Sequence, residues 1–165
     1  MPELIARRPA GATPATRALS AAGVPFTLRP YDHDPRAQSY GLEAADRLGV
    51  EPGRVLKTLL ARADGNLVVG ILPVDQRLDL KALARAVGAS RAALADAADA
   101  ERATGYVVGG IAPVGQRRSH PTVLDAGALD HPTVLVSGGR RGLDVELAPA
   151  DLVAVTGAVT ARIGR

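Results

Sequence analysis

A mixed α/β (α+β) fold, with a curled sheet and helices outside it, is predicted by three features of the chain. Apolar residues recur at helical spacing in some stretches and form short runs or alternations in others. Strands arrive both as hairpins and after helices, which requires a sheet of mixed direction. At 165 residues, 47% of them hydrophobic and 22% charged, the chain fits one compact domain. Aromatic residues make up only 2%, so the core must be aliphatic.

Residues 1–12 hold Pro, Gly and Arg without periodicity and read as a flexible extension, which places the domain at 13–165. Thr13 is a candidate N-cap with Pro14 at the first helical position, and Gly23 can close a helix over 13–22. Pro25 to Tyr31 reads as a strand, ended by the turn residues Asp32-His33-Asp34-Pro35. Ser39 to Leu48, stopped by Gly49, carries Leu42, Ala45 and Leu48 at helical spacing. Arg54 to Ala63 and Leu67 to Leu72 are strands flanking Asp64-Gly65-Asn66, a hairpin signal.

Asp79 to Val87 repeats the helix signature, with Asp79 as cap, Gly88 as stop and Lys81 on the outer side. Ala97 to Ala103 reads as a further short helix, followed by Gly105-Tyr106 and by Val107 to Ile111, where Gly109 and Gly110 permit unusual backbone. Thr122 to Asp125, Thr133 to Ser137 and Leu143 to Leu147 are strands, the last two joined across a glycine-rich turn at 138–142. A helix from Pro149 to Val155 and a strand from Ala158 to Ile163 complete the pattern.

Composition narrows the chemistry. With no cysteine the chain has no disulfide, thiolate metal site or cysteine nucleophile of its own, so thiol chemistry here must come from a substrate. The apolar patch Leu4-Ile5-Ala6 is far short of a signal-peptide core, and no run reaches the roughly 18 residues of a membrane span. A cytoplasmic protein with no membrane association is the expectation. The net charge is +3 and the pI about 9.8, with arginine pairs at 117–118 and 140–141. That balance suits a polyanion such as tRNA and equally an ordinary solvated surface. Of the 20 basic residues only Lys57 and Lys81 are lysine, so a lysine here can be a chemical choice and not a filler, although Lys81 reads as a solvated helix residue.

Candidate groups follow. His33, His120 and His131 lack zinc-ligand spacing and read as turn or surface residues, so no metal or other cofactor is expected. Ser137, a histidine and Asp144 have the residue types of a triad, but no nucleophile-elbow motif is present. The glycine pairs at 109–110 and 138–139 match no phosphate loop; they make tight turns, or their N–H groups line a pocket and hold a carbonyl or oxyanion. Lys57, inside the apolar segment Val55-Leu56-Lys57-Thr58-Leu59-Leu60, needs a partner or an open cleft if it faces inward, whereas strand alternation equally lets it point outward. Asp144, in Leu143-Asp144-Val145-Glu146-Leu147, either pairs with a basic group or is solvated.

Taken in order, Thr13-Pro14-Ala15, Tyr31-Asp32-His33-Asp34-Pro35, Tyr40-Gly41, Val55-Leu56-Lys57-Thr58-Leu59, Pro73-Val74 and Leu78-Asp79-Leu80-Lys81 form a specific succession. It continues through Thr104-Gly105-Tyr106 to Pro113, Gly115-Gln116, Ser137-Gly138-Gly139 and Arg141 to Leu147. From about Thr13 to the C-terminus this succession resembles the YbaK-type Cys-tRNA(Pro)/Cys-tRNA(Cys) deacylases, relatives of the editing domain inserted in bacterial prolyl-tRNA synthetases. The resemblance implies a barrel-like sheet wrapped by helices, with the site in a cleft around the lysine. Lys57 matches the family's essential lysine. Tyr31, Tyr40, Thr58, Gly109, Gly110, Ser137, Gly139 and Asp144 match positions around its substrate pocket. Two departures stand out: Leu56 precedes the lysine where relatives often carry an aromatic residue, and residues 1–12 extend beyond the usual start.

The implied function is trans-editing of Cys-tRNA(Pro), and of Cys-tRNA(Cys), by an aminoacyl-tRNA deacylase in which the substrate thiol assists cleavage of its own ester. The implied partners are aminoacyl-tRNA, in particular tRNA(Pro), and prolyl-tRNA synthetase. A sister specificity would remove alanine or another small residue by water attack. A non-catalytic tRNA- or synthetase-binding module is the reading of another class.

Overall fold

The computed structural model describes residues 12–165, so all but Ala12 of the predicted extension at 1–12 lies outside the described residues. The elements are helix α1 (Pro14–Ala21), strand β1 (Thr27–Pro30), α2 (Tyr40–Leu48), β2 (Leu56–Ala63), β3 (Asn66–Pro73), α3 (Leu80–Ala86), β4 (Ala92–Leu94) and α4 (Ala97–Thr104). They continue with β5 (Thr122–Asp125), β6 (Val134–Arg140), β7 (Leu143–Leu147), α5 (Pro149–Thr156) and β8 (Val159–Ala161). Short 3-10 turns lie at Pro52–Arg54 and Ala126–Asp130.

Local chemistry fixes several boundaries. The buried Thr13 caps α1 by accepting the Thr16 N–H at 3.1 Å, and its hydroxyl donates to the Gly138 carbonyl at 2.5 Å, tying the helix to β6. Ser39 caps α2 by accepting the Leu42 N–H, and Gly49 ends that helix in the left-handed conformation. Asp64 at φ +49° and Gly65 at φ +86° form the two-residue loop between the paired residues Ala63 and Asn66. The Asp64 carboxylate then accepts the N–H groups of Ser90 and Arg91, which holds the approach to β4 against the hairpin.

The strands make two sheets. One is five-stranded in the order β4-β2-β3-β5-β8, antiparallel on the hairpin side and parallel through β3, β5 and β8. The other is an antiparallel three-stranded sheet in the order β1-β7-β6. The mixed α/β character agrees with the expectation from sequence. The barrel does not form: the sheets adjoin through an isolated bridge between Val55 and Leu135 and do not close on themselves. A 3-10 turn at Pro52–Arg54 precedes β2, and the hydrogen-bonded link between the sheets is the single bridge at Val55.

Two further differences have local causes. Gly138 and Gly139, read as turn residues, belong to β6, where the pairing with β7 shifts register between Ser137 and Arg140. β4, absent from the sequence reading, is a three-residue edge strand on β2.

The core divides where the elements cross. Leu56, Leu60, Ile71, Val136, Val145, Leu147 and Leu152 fill the space between the sheets. Leu72, Val123 and Ile163 pack with Leu83 of α3. Val55, Val74 and Leu135 pack against Ala44 and Ala45 of α2. Burying each large aliphatic side chain contributes about 1.5–3 kcal/mol, so an almost wholly aliphatic interior suffices without aromatic bulk. Among the described residues no helix is long and apolar enough to cross a membrane.

Candidate active site

The site is a cleft of about 460 Å³ at the seam of the two sheets, closed on one side by α2 and on another by α4 and the 108–111 segment. It forms there because the seam lacks a continuous ladder and α2 lies close over it. Gly41 permits that closeness: a Cβ at this position would come within 2.3 Å of Val74 Cγ1.

At one end of the cleft the polar groups come from the three-stranded sheet and α2. In β7 Asp144 stands opposite Arg29 of β1 and Ser137 of β6, so the three side chains share one face of the sheet. Asp144 is only 6% exposed. Burial raises its carboxyl to about 7, against the opposing pull of the Arg29 charge. Arg29 itself is ion-paired with Glu146, which also holds Arg54 at 3.0 Å and accepts the Thr133 hydroxyl at 2.5 Å. Tyr31, just beyond β1, has its phenol pushed up to about 12 by burial and by the Asp144 and Glu43 charges, so it stays a neutral donor.

A carboxyl that titrates near 7 in the folded chain and near 3.9 unfolded binds its proton more tightly when folded. Between those values the folded state holds a proton the unfolded chain has released, so stability falls as pH rises from about 4 to about 7. Asp144→Asn removes that slope. In urea titrations the variant is expected to gain on the wild type by a few kcal/mol between pH 4 and pH 8. Parallel pH–stability curves for the two proteins would refute this account of Asp144.

The tyrosine of α2 is fixed by its neighbours. Tyr40 lies under the Arg141 guanidinium, 4.8 Å from the ring centroid, and 5.8 Å from the His33 ring. His33 Nδ1 and the Asp34 N–H both meet the Glu43 carboxylate, at 2.8 and 2.7 Å, pinning the turn after Tyr31 to α2. Arg141 Nε also donates to the Val108 carbonyl at 2.9 Å, which draws the 108–109 backbone to the cleft edge. Gly109 sits there at φ +88°, where a Cβ would lie 2.9 Å from the Tyr40 ring and 2.8 Å from Arg141 Nε.

β2 supplies the floor. Thr58 shares the face of Leu56 and Leu60, lines the cleft, and has a buried hydroxyl oxygen with no hydrogen-bond partner. Lys57 alternates to the face of Leu59 and Ala61 and contributes to the cleft wall, half-buried. Its ammonium donates to the Gln76 carbonyl at 2.5 Å. Desolvation lowers the lysine's pKa, partly opposed by the Asp75 carboxylate. Inward and outward thus prove too coarse a choice: the stem walls the cleft while the ammonium reaches the loop after β3.

Of the residues singled out from sequence, Tyr31, Tyr40, Lys57, Thr58, Gly109, Ser137 and Asp144 meet at this cleft. Gly110 and Gly139 are not in its wall. The Gly110 N–H closes a turn onto the Val107 carbonyl, and its Cα packs so tightly on the Arg140 backbone that a Cβ would lie 2.7 Å from Arg140 Cα. Gly139, at φ +106°, donates its N–H to Ser137 Oγ and packs on Thr13 and Tyr106. The apolar part of the wall built by Leu94, Ala95, Ala97, Ala100 and Ile111 was not anticipated. Its signal is faint, because alanines beside a three-residue strand carry little periodicity. Among the described residues no group of three or more His, Cys, Asp or Glu side chains could hold a metal ion.

The chain belongs to the aminoacyl-tRNA editing domain family, which matches it over residues 34–155. It is 38% identical over 120 residues, 72% of this chain and 73% of the relative, to the "Putative Cys-tRNA(Pro)/Cys-tRNA(Cys) deacylase EbsC" of Enterococcus faecalis. A proline–tRNA ligase of Moorella thermoacetica is 38% identical over 68 residues, which are 41% of this chain and 12% of the ligase. The crystal structure described as "a putative trans-editing enzyme for prolyl tRNA synthetase" superposes with a TM-score of 0.84 at 27% identity, covering 96% of this chain and 99% of that one.

Proposed function

We propose that this chain is a trans-editing aminoacyl-tRNA deacylase whose substrate is Cys-tRNA(Pro), with Cys-tRNA(Cys) as a second substrate, acting in the cytoplasm beside prolyl-tRNA synthetase. The observation that carries this reading is the cleft itself. Chain segments distant in sequence bring a lysine stem, two tyrosines, a serine, a buried carboxyl and an open glycine backbone to one cavity, on a chain that belongs to an editing family.

The chain has no cysteine, so the thiol in this chemistry is the substrate's. The cysteinyl sulfur attacks its own ester carbonyl; the S–C bond forms, the C–O bond to the ribose breaks, the thiol proton passes to the departing ribose oxygen, and the acyl group leaves as a four-membered cysteine thiolactone that water then opens to cysteine. The protein's contribution is orientation and charge placement, which together supply large rate factors. Lys57 anchors the aminoacyl-adenosine end, since Gln76 engages one of its three N–H groups. Gly109 fronts the carbonyl. Tyr31, Ser137 and Asp144 orient the ribose and acyl group, and the Thr58 hydroxyl faces the space the acyl side chain enters. The similarity to a named Cys-tRNA deacylase and to a trans-editing enzyme for prolyl tRNA synthetase supports this choice of substrate and partner.

Incubating the purified protein with Cys-tRNA(Pro) and, in parallel, Ala-tRNA(Pro) tests the reading. Rapid loss of the cysteine ester alone is the expected result. Equal loss of both would replace the thiol-assisted route by water attack, and loss of neither would leave a tRNA-binding module.

A further inference from the structure

A second cavity, of about 530 Å³, adjoins the cleft and shares Tyr31 with it. Its wall is of a different kind. Pro30, Tyr31 and Asp32 from the end of β1, Arg47 from the last turn of α2, and Arg140 and Gly142 from the β6–β7 connection line it. The first cavity is walled mainly by apolar side chains; this one is lined by two arginines and one aspartate among its six residues.

The two arginines converge from separate elements. Arg47 projects from the C-terminal turn of α2, whose N-terminal residue Tyr40 lines the cleft. Arg140 ends β6, the strand that brings Ser137 to the cleft, and its Nη1 donates to the Arg141 carbonyl. The elements that shape the ester-handling cavity therefore also carry these cations. Guanidinium groups present flat forks of N–H donors that match phosphate oxygens.

We propose that this second cavity holds a backbone phosphate of the RNA strand whose terminal nucleoside occupies the cleft, an assignment that rests on the deacylase function proposed above. A 3′-terminal aminoacyl-adenosine in the cleft is joined through its 5′ oxygen to the rest of the strand, which must leave over the cleft rim. Tyr31 forms the wall between the two cavities, so a strand leaving past it enters the space between Arg47 and Arg140. The phosphate is the one chemical feature present at every such nucleotide whatever its base, and a polar cavity bounded by two arginines recognises it without reading sequence. Asp32 on the same wall disfavours a crowd of anions and leaves room for one singly charged phosphodiester.

The test compares two esters: Cys-tRNA(Pro), and the cysteinyl ester of adenosine, which has no phosphate. In an Arg47→Ala/Arg140→Ala double variant KM for Cys-tRNA(Pro) is expected to rise about tenfold with kcat unchanged, while cleavage of the adenosine ester is unaffected. The log–log salt dependence of kcat/KM for the tRNA should flatten by about 0.7 for each phosphate that is no longer neutralised. Arg47→Lys, which keeps the charge and loses the fork, should fall between. Equal losses on both esters, or no loss on either, overturn the proposal.

If the wild type cleaves neither ester, the deacylase function fails and binding decides the phosphate site by itself. The probe is then a fluorescent, 5′-phosphorylated CCA trinucleotide that carries no aminoacyl group. Weaker, less salt-sensitive binding by the double variant upholds the site. Undiminished binding by the double variant, or no binding by the wild type, overturns it.

Discussion

Lys57→Ala is expected to lower cleavage of Cys-tRNA(Pro) by about 10²-fold or more, the scale seen when one charge-stabilising donor is removed from an acyl-transfer site. The stem of Lys57 lines the cleft and its ammonium is tethered to a carbonyl of the adjoining loop. A lysine so placed can pivot a short way to the substrate and hold its charge there. Desolvation already disfavours that ammonium in the folded chain, so alanine relieves a cost and the fold should survive the change. Single-turnover cleavage by wild type and variant, with thermal unfolding of each in parallel, separates the two effects. Lys57→Arg should restore little, because its broad planar fork does not repeat the point charge of an ammonium. Full activity in Lys57→Ala would remove lysine from the mechanism.

The largest effect on stability is expected from Leu135→Ala. Leu135 is fully buried and packs with Ala44, Ala45, Val55 and Val74 under α2, and its backbone makes the bridge to Val55 that joins the two sheets. Truncating a buried leucine costs about 2–5 kcal/mol through lost burial and the cavity left behind. A site where two sheets and a helix converge has little freedom to collapse into the gap, so about 3 kcal/mol or more is expected. In urea the midpoint should drop with an unchanged m-value. A loss below about 1 kcal/mol would mean that the seam repacks around the smaller side chain.

Elements governed by near neighbours were legible in the sequence. Thr13-Pro14, Ser39 and Asp79 begin helices as their side chains dictate. Asp64-Gly65 makes the hairpin because both residues accept positive φ. Long-range pairing decided what was misread or missed. Gly138 and Gly139 look like a turn until β7 and Thr13 draw them into β6, and Ala92–Leu94 becomes a strand only because β2 offers it an edge. The resemblance pointed to the lysine and the residues around it. Which way Lys57 reaches was not legible, since alternation alone assigns it no partner, and Gln76 acquires that role only when the loop after β3 folds back. The pKa of Asp144 was equally hidden: in sequence it is one carboxylate in an alternating strand, and its burial comes only with the strands paired on both sides of it.

The pairing of β1 with β7 has a kinetic consequence. β2 and β3 join across a two-residue loop, so their pairing forms among close neighbours, whereas Thr27 must find Glu146 near the far end of the chain. Closing so long a loop is slow, and pairings of high sequence separation tend to come late in folding. Tyr31 and Asp144 reach the same cavity only after that closure. During synthesis the hairpin can thus form while the C-terminal part is still inside the ribosome, but the cleft is completed only once β7 has emerged, and a nascent chain that stops short of it lacks the strand that carries Asp144.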